Sequence, residues 1–324
     1  RTVKAFLDAE VAPHHAQWEK DGVVSREVWR KAGEAGLLLT SVPTEYGGGG
    51  ADFLMSAVIL EELAKGLWSG PGVRLHSEIV APYILHYGSE EQKKAWLPRM
   101  AKGDVITAIA MTEPGTGSDL QGVRTTAIRT GNEIVVNGQK TFITNGPDAD
   151  VVVVYAKLDE GDGADKRDRK VLTFVLDRGM EGFVQSKPFR KMGIHSSRTG
   201  ELFFNNVRLG RDRLLGETEE NKAGDGRDSA RSSFSAERVG VVSMSLGIIE
   251  ECLRLCIDYA KTRTLWGKEI GQFQLIQLKL ASMEVARMNV RNMLFRVIES
   301  GQAGRQIPLA EASAMKWYCS QAAT

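Results

Sequence analysis

The hydrophobic period of this chain changes twice, and that change limits its fold more than any other feature. Val3, Phe6, Leu7, Val11 and Trp18 recur at the three- and four-residue spacing that keeps apolar side chains on one helix face. Pro13 predicts a kink or an end there. Ser25 stands where it can cap a second helix through Trp29 and Leu37. After the breaking run Tyr46 to Gly50, Asp52 can cap a third helix carrying Val58, Ile59, Leu60 and Leu63. Helical spacing continues through Ile79 and Ile84, and from Ser89 to Met100.

From Asp104 the pattern becomes that of strands. Val105 to Met111, Val123 to Arg129, Val151 to Lys157 and Val171 to Leu176 are short β-branched runs set between Gly, Asp and Asn. Asn137-Gly138, between Ile134-Val135-Val136 and Thr141-Phe142-Ile143, predicts a two-residue hairpin turn. A polar, Gly-rich, charged stretch then predicts a loop or linker. Beyond it Val239, Val242, Leu246, Ile249, Leu253, Cys256 and Ala260 follow a bundle-type helical period. Ile276, Leu280, Met283, Val290, Leu294 and Val297 give a second such helix, interrupted by Arg287. The order predicts an α+β fold: a helical domain over residues 1–103, a β domain over 104–215, a linker over 216–233 and a helical bundle over 234–324.

Charge and cysteine usage exclude some roles. Lys and Arg total 42 against 41 for Asp and Glu, so no basic face for nucleic acid is expected. No apolar run reaches the length of a membrane-spanning helix. Three cysteines make no disulfide framework, which suits a reducing compartment. Cys252 and Cys256 lie four apart without His or further Cys at ligand spacing, so they read as small buried apolar residues and no metal is expected. His14 and His15 read as surface residues, His195 as either a solvated loop residue or part of a substrate loop, and 159–170 as an exposed mixed-charge loop.

The chemistry concentrates after the first predicted strand, in Ala110-Met111-Thr112-Glu113-Pro114-Gly115-Thr116-Gly117-Ser118-Asp119. Backbone N–H groups in such a turn can line a site for phosphate or a polar ring edge, and Thr112 and Ser118 add hydroxyls. On its residues alone the stretch is equally compatible with a plain polar loop. It lacks the three-glycine spacing of a Rossmann dinucleotide site.

This stretch resembles the flavin-binding motif of the acyl-CoA dehydrogenases, and Gly138 to Gly146 (GQKTFITNG) resembles their second motif. Gly88 to Lys93, Lys191 to Ile194 with Ser197 and Thr199, Arg263 to Lys268, and Gln272 to Gln274 match in the same order, so the resemblance covers nearly the whole chain. It implies an N-terminal helical domain, a middle β-barrel-like domain and a C-terminal four-helix bundle, here without the end of that bundle. It also implies FAD, with Met111, Thr112, Gly117 and Ser118 on the flavin or its phosphates. Phe142, Ile143 and Thr144 would flank the ring system, with the Thr144 hydroxyl near N5, and Arg263, Trp266 and Gln274 would reach the FAD of a neighbouring subunit. A homotetramer, a dimer of dimers, follows from that sharing. Two positions depart from the family: Phe142 stands where many members have Trp, and Thr116 where a smaller residue is usual.

The implied reaction is α,β-dehydrogenation of an acyl-CoA to the trans-2-enoyl-CoA, with electrons passed to an electron-transfer flavoprotein. It needs a base for the α proton, and burial strengthens a carboxylate in that role. Most of the family carries this Glu late in the C-terminal domain, whereas the isovaleryl-CoA and long-chain types carry it near the start of the first long C-terminal helix. Phe234-Ser235-Ala236-Glu237-Arg238-Val239 resembles the second arrangement, with Glu237 at the base position. The alternatives are a base beyond Thr324 and a Glu237 that merely favours the dipole of a first helical turn. Ser118, Phe234 and Arg238 would touch the substrate. An acyl-CoA oxidase, a nitroalkane-oxidase-like enzyme and a DNA-associated flavin-binding protein share the resemblance. The expected location is the cytoplasm, or the mitochondrial matrix in a eukaryote.

Overall fold

In the computed structural model of the chain, the described residues are all except Ser69, Ala164, Lys166 and 220–223, together with the side chain of Ser232. Parts of the expected 159–170 loop and of the 216–233 linker thus lie outside the described residues. The first segment forms α1 (Thr2–Glu10), α2 (Ala12–Asp21), α3 (Arg26–Glu34), α4 (Phe53–Lys65), α5 (Ala81–Tyr87) and α6 (Glu90–Ala101). Pro13 sits in the first turn of α2, where its missing N–H has no helical partner to lose. The expected caps form: Ser25 Oγ accepts the Glu27 N–H at 3.1 Å, and the Asp52 carboxylate accepts that of Leu54 at 3.0 Å. Ser89 and Gln92 close a reciprocal capping box at the start of α6.

One stretch of π-helix, Leu75–Val80, leads into α5 and buries His76 completely. His76 Nδ1 lies 2.9 Å from the Thr107 hydroxyl, and Nε2 lies 3.0 Å from the Met100 carbonyl oxygen. A carbonyl can only accept, so Nε2 carries the proton and Nδ1 accepts from Thr107. Burial pulls this imidazole down to about 4, so it is neutral at physiological pH.

The middle segment forms β1 (Thr107–Ala110), β2 (Thr126–Thr130), β3 (Glu133–Thr144), β4 (Val151–Leu158), β5 (Val171–Asp177), β6 (Phe183–Gln185) and β7 (Thr199–Leu209) in one curled mixed sheet. β4 is buried along its whole length. It carries β5 antiparallel, and β1 and then β2 parallel; β3, β7 and β6 continue the sheet beyond β2. Asn137-Gly138 is not the predicted turn. The two-residue connection is Gly131-Asn132, and β3 runs straight through Gly138 with a register shift against β7 between Val136 and Gly138. Gly138 has φ +153°, and a Cβ there would stand 2.5 Å from Thr125 Oγ1, so the glycine serves close backbone approach.

The last segment forms α7 (Gly226–Thr262), the hairpin β8 (Thr264–Leu265) and β9 (Lys268–Glu269), α8 (Gln274–Gln302) and α9 (Leu309–Ala323). α7 therefore begins inside the stretch expected to be linker. Asp225 starts it, its carboxylate accepting the Arg227 N–H at 2.8 Å and its carbonyl that of Ser229 at 3.1 Å. Contacts divide the chain into two compact units: a sheet unit of Pro13–Gly50 and Ser69–Ser233, and a helical unit of Arg1–Ala12, Ala51–Trp68 and Phe234–Thr324.

Within the helical unit, Ala57 of α4 shares a core with Val239, Val242, Leu246 and Ile249 of α7, Val290 and Leu294 of α8, and Met315 and Cys319 of α9. Gly247 lets α7 meet α4 backbone to backbone, since a Cβ there would strike the Glu61 carbonyl. Lys65 binds Glu61, Glu62 and Glu250 at 2.7, 2.9 and 3.0 Å, and Arg287 reaches Glu250 at 3.7 Å, which accounts for the polar break in the α8 stripe. Cys252 and Cys256 are exposed, contrary to expectation, because the buried line of α7 runs through Ile249, Leu253 and Ala260 and leaves both on its flanks. Cys319 is buried, and burial pushes its thiol up to about 11.

Candidate functional site

In the sheet unit, the chain leaves β1 at Ala110 and folds into a tight loop. Glu113 and Thr116 exchange backbone bonds at 2.9 and 3.0 Å, so Pro114-Gly115 form its tip. The Thr112 carbonyl accepts the Thr141 N–H at 2.9 Å, tying the loop to β3. Beneath it the Glu113 carboxylate accepts from Arg124 N (2.6 Å), Thr125 N (2.9 Å), Thr125 Oγ1 (2.6 Å) and Lys140 Nζ (2.9 Å). Lys140 Nζ also donates to the Met111 carbonyl at 3.1 Å. The two side chains are 5% and 0% exposed. Burial works to raise the Glu113 carboxyl, but the Lys140 ammonium with Thr125 and Arg124 outweighs it and holds the group below its ordinary value. Burial pulls the Lys140 ammonium down to about 8 against the opposing pull of Glu113. The pair stays charged at neutral pH.

β3 supplies the other wall. Its register against β7 shifts again between Lys140 and Ile143, which re-aims the intervening side chains. Phe142 takes a left-handed φ of +57° and is 68% exposed, its ring edge-on to Phe189 at 5.6 Å. The left-handed φ is strained for an aromatic residue, and the surrounding pairing holds the ring facing outward. Ile143 is buried and Thr144 half-buried beside it, so the structure brings Met111, Thr112, Phe142, Ile143 and Thr144 into one unit at neighbouring strand ends. Gly115 and Gly117 have open space where a Cβ would stand, and Gly117 and Ser118 are exposed. The Thr112 N–H and the Thr112 and Ser118 hydroxyls donate to no protein group among the described residues. An exposed flat ring wall with free donors beside it fits a planar polar heterocycle carrying phosphates, which is what FAD presents. Inspection of residue types alone missed Glu113 and Lys140. The available signal was a charged residue inside each motif, and only the fold shows that they meet.

The helical unit holds the remaining candidates. Glu237 is half-buried and lies three turns into α7, so the dipole of a first turn does not account for it. One turn before it, Phe234 carries the Arg238 guanidinium over its ring at 5.3 Å. Arg238 Nη1 is buried with no hydrogen-bond partner among the described residues. Trp266 and Gly267, both at positive φ, make the two-residue turn between β8 and β9, with Trp266 84% exposed. Arg263 and Gln274 flank that hairpin and are exposed. Among the described residues no group of three or more His, Cys, Asp or Glu could hold a metal ion, and no helix is long and apolar enough to cross a membrane.

Comparison with known proteins agrees along the chain. Family models described as acyl-CoA dehydrogenase N-terminal, middle and C-terminal domains match residues 1–104, 108–207 and 224–324. A long-chain specific acyl-CoA dehydrogenase of Sus scrofa mitochondria is 41% identical over 320 residues, 99% of this chain and 73% of the relative. The crystal structure of an acyl-CoA dehydrogenase from Geobacillus kaustophilus superposes with a TM-score of 0.91 at 42% identity, covering 99% of this chain and 82% of that one. A glutaryl-CoA dehydrogenase from Mycobacterium smegmatis in complex with FADH2 gives 0.89 at 30% identity, covering 99% and 79%.

Proposed function

The chain belongs to the acyl-CoA dehydrogenase family of FAD-dependent oxidoreductases, and from that premise we propose that it converts an acyl-CoA to the trans-2-enoyl-CoA with Glu237 as the base. What carries the assignment of Glu237 is its position three turns inside α7, half-buried, where no capping or dipole role explains a carboxylate. A carboxylate held against the α carbon suits removal of a proton next to a thioester carbonyl. FAD, when bound, supplies the acceptor for the β hydrogen, which leaves as hydride. Met111, Thr112, Gly117 and Ser118 would hold the cofactor from the loop side, and Phe142, Ile143 and Thr144 from β3, with the Thr144 hydroxyl toward N5. Ser118, Phe234 and Arg238 would bind the thioester substrate; Arg238 Nη1, with no hydrogen-bond partner among the described residues, is a donor for its polar portion.

The electron acceptor in this reading is an electron-transfer flavoprotein. The assembly is a homotetramer in which Arg263, Trp266 and Gln274 of one subunit reach the FAD of the next, which gives the exposed Trp266 turn a use. The location is the cytoplasm, or the mitochondrial matrix in a eukaryote.

The test is anaerobic bleaching of the flavin absorption by straight and branched acyl-CoAs, comparing the native protein with Glu237→Gln. Bleaching that is lost in a variant that still holds FAD is the expected result. Equal bleaching would move the base elsewhere while leaving the reaction intact. Rapid reoxidation of the reduced protein in air would favour an oxidase.

A further inference from the structure

The buried ion pair under the flavin loop asks for an explanation beyond stability. Removing two charges from water costs several kcal/mol each, and an apolar pair of similar volume generally folds as well or better. Yet Glu113 is saturated by four donors, and Lys140 spends its ammonium on Glu113 and on one backbone carbonyl, that of Met111. That carbonyl belongs to the peptide whose other end is the Thr112 N–H, which has no protein partner among the described residues. A cation on a carbonyl oxygen polarises its amide and strengthens the N–H as a donor, most of all in a low-dielectric interior.

We propose that Glu113 and Lys140 form a positioning pair for the flavin: Glu113 clamps the Met111–Ser118 loop, and Lys140, through the Met111–Thr112 peptide, presents a strengthened donor that favours the more electron-rich, reduced cofactor. The inference rests on the flavin reading of this loop. Neither residue touches the reacting atoms in this scheme; both act through the Met111–Thr112 peptide. Glu113 keeps the ammonium in place, and Thr125, which gives Glu113 two of its bonds, abuts Gly138 and so couples the β3 bulge to the same clamp.

The experiment uses the full chain with and without FAD, and two double variants, Glu113→Gln/Lys140→Met and Glu113→Gln/Lys140→Gln. Both remove the buried charges together, but a glutamine amide has one acceptor oxygen and cannot take the Arg124 N–H as well as the Thr125 donors, so a modest fall in thermal stability is expected. FAD affinity of the apoprotein is expected to fall about tenfold in the methionine variant. The preference for reduced over oxidised FAD should fall about tenfold in both, equivalent to about 30 mV in the two-electron midpoint potential. Native affinity and potential in the folded double variants would overturn the proposal and leave the pair purely structural. Should neither variant fold, the native protein decides. FAD affinity should weaken as pH rises from 7 to 9 and Lys140 loses its proton, and a flat profile would overturn the proposal. If the native apoprotein binds no FAD at all, it is the flavin reading that fails. If it binds FAD and is reduced by an acyl-CoA while the variants match it, only the role of the pair fails.

Discussion

Replacing His76 by Gln should remove a specific component of acid sensitivity. The imidazole is fully buried, with its Nε2–H donated to Met100 and its Nδ1 accepting from Thr107, and burial lowers it from the ordinary 6.5 to about 4. The unfolded chain therefore takes up a proton near pH 6.5 that the folded chain refuses until about pH 4. Its contribution is fully present above pH 6.5 and is lost as pH falls through that window. At about 1.4 kcal/mol per pH unit, the loss reaches about 3 kcal/mol by pH 4.5. Gln can donate to the Met100 carbonyl and accept from the Thr107 hydroxyl, but it does not titrate. At pH 7.5 the native protein should be the more stable, since the variant loses the edge-on contact of His76 with Trp29 at 5.3 Å. Urea unfolding followed by tryptophan fluorescence at a series of pH values reads the difference between the two proteins, in which the carboxylate contributions cancel. The native advantage should shrink by about 3 kcal/mol between pH 7.5 and 4.5. A difference that stays constant with pH would refute a neutral buried His76.

Two further outcomes follow from the packing. Gly138→Ala forces a Cβ to within 2.5 Å of Thr125 Oγ1 and 2.7 Å of its Cα at a φ of +153°. It should lower stability by about 2–3 kcal/mol in thermal melts and weaken FAD binding with it, through the Thr125 to Glu113 bonds. A chromogenic thiol reagent should titrate Cys252 and Cys256 quickly in the native protein, and Cys319 only after denaturation, because its thiol is buried and pushed up to about 11.

The helical segments, their caps and the position of the sheet were legible because each rests on local causes. Ser25 and Asp52 cap through side chains two residues from their partners, and Val239, Val242, Leu246 and Ile249 reach the core at the spacing that the helix itself dictates. The start of α7 was illegible for the opposite reason. Gly226, Arg227, Asp228 and Ser229 are a poor helical text, and Asp225 at their head is 8% exposed and bonds Val171 N at 3.2 Å, a partner 54 residues away. The Asn137-Gly138 signal failed in the same way. Two residues with strong turn chemistry were overridden by pairing with β7, where Val136 meets Val207 and Gly138 meets Phe204.

That failure bears on function. A strand that ignores a local turn signal keeps a bulge at Gly138 and acquires a second irregularity before Ile143, and the two bracket Lys140. Between them Lys140 turns fully inward to Glu113 and Phe142 turns outward at positive φ, so a buried charge and an exposed ring stand two residues apart on one strand. A regular strand would instead put positions 140 and 142 on the same face. The irregular pairing is what lets GQKTFITNG supply an interior clamp and an exterior wall at once. The motif is recognisable in the sequence as a string of residue types, but this division of labour exists only in the register between β3 and β7.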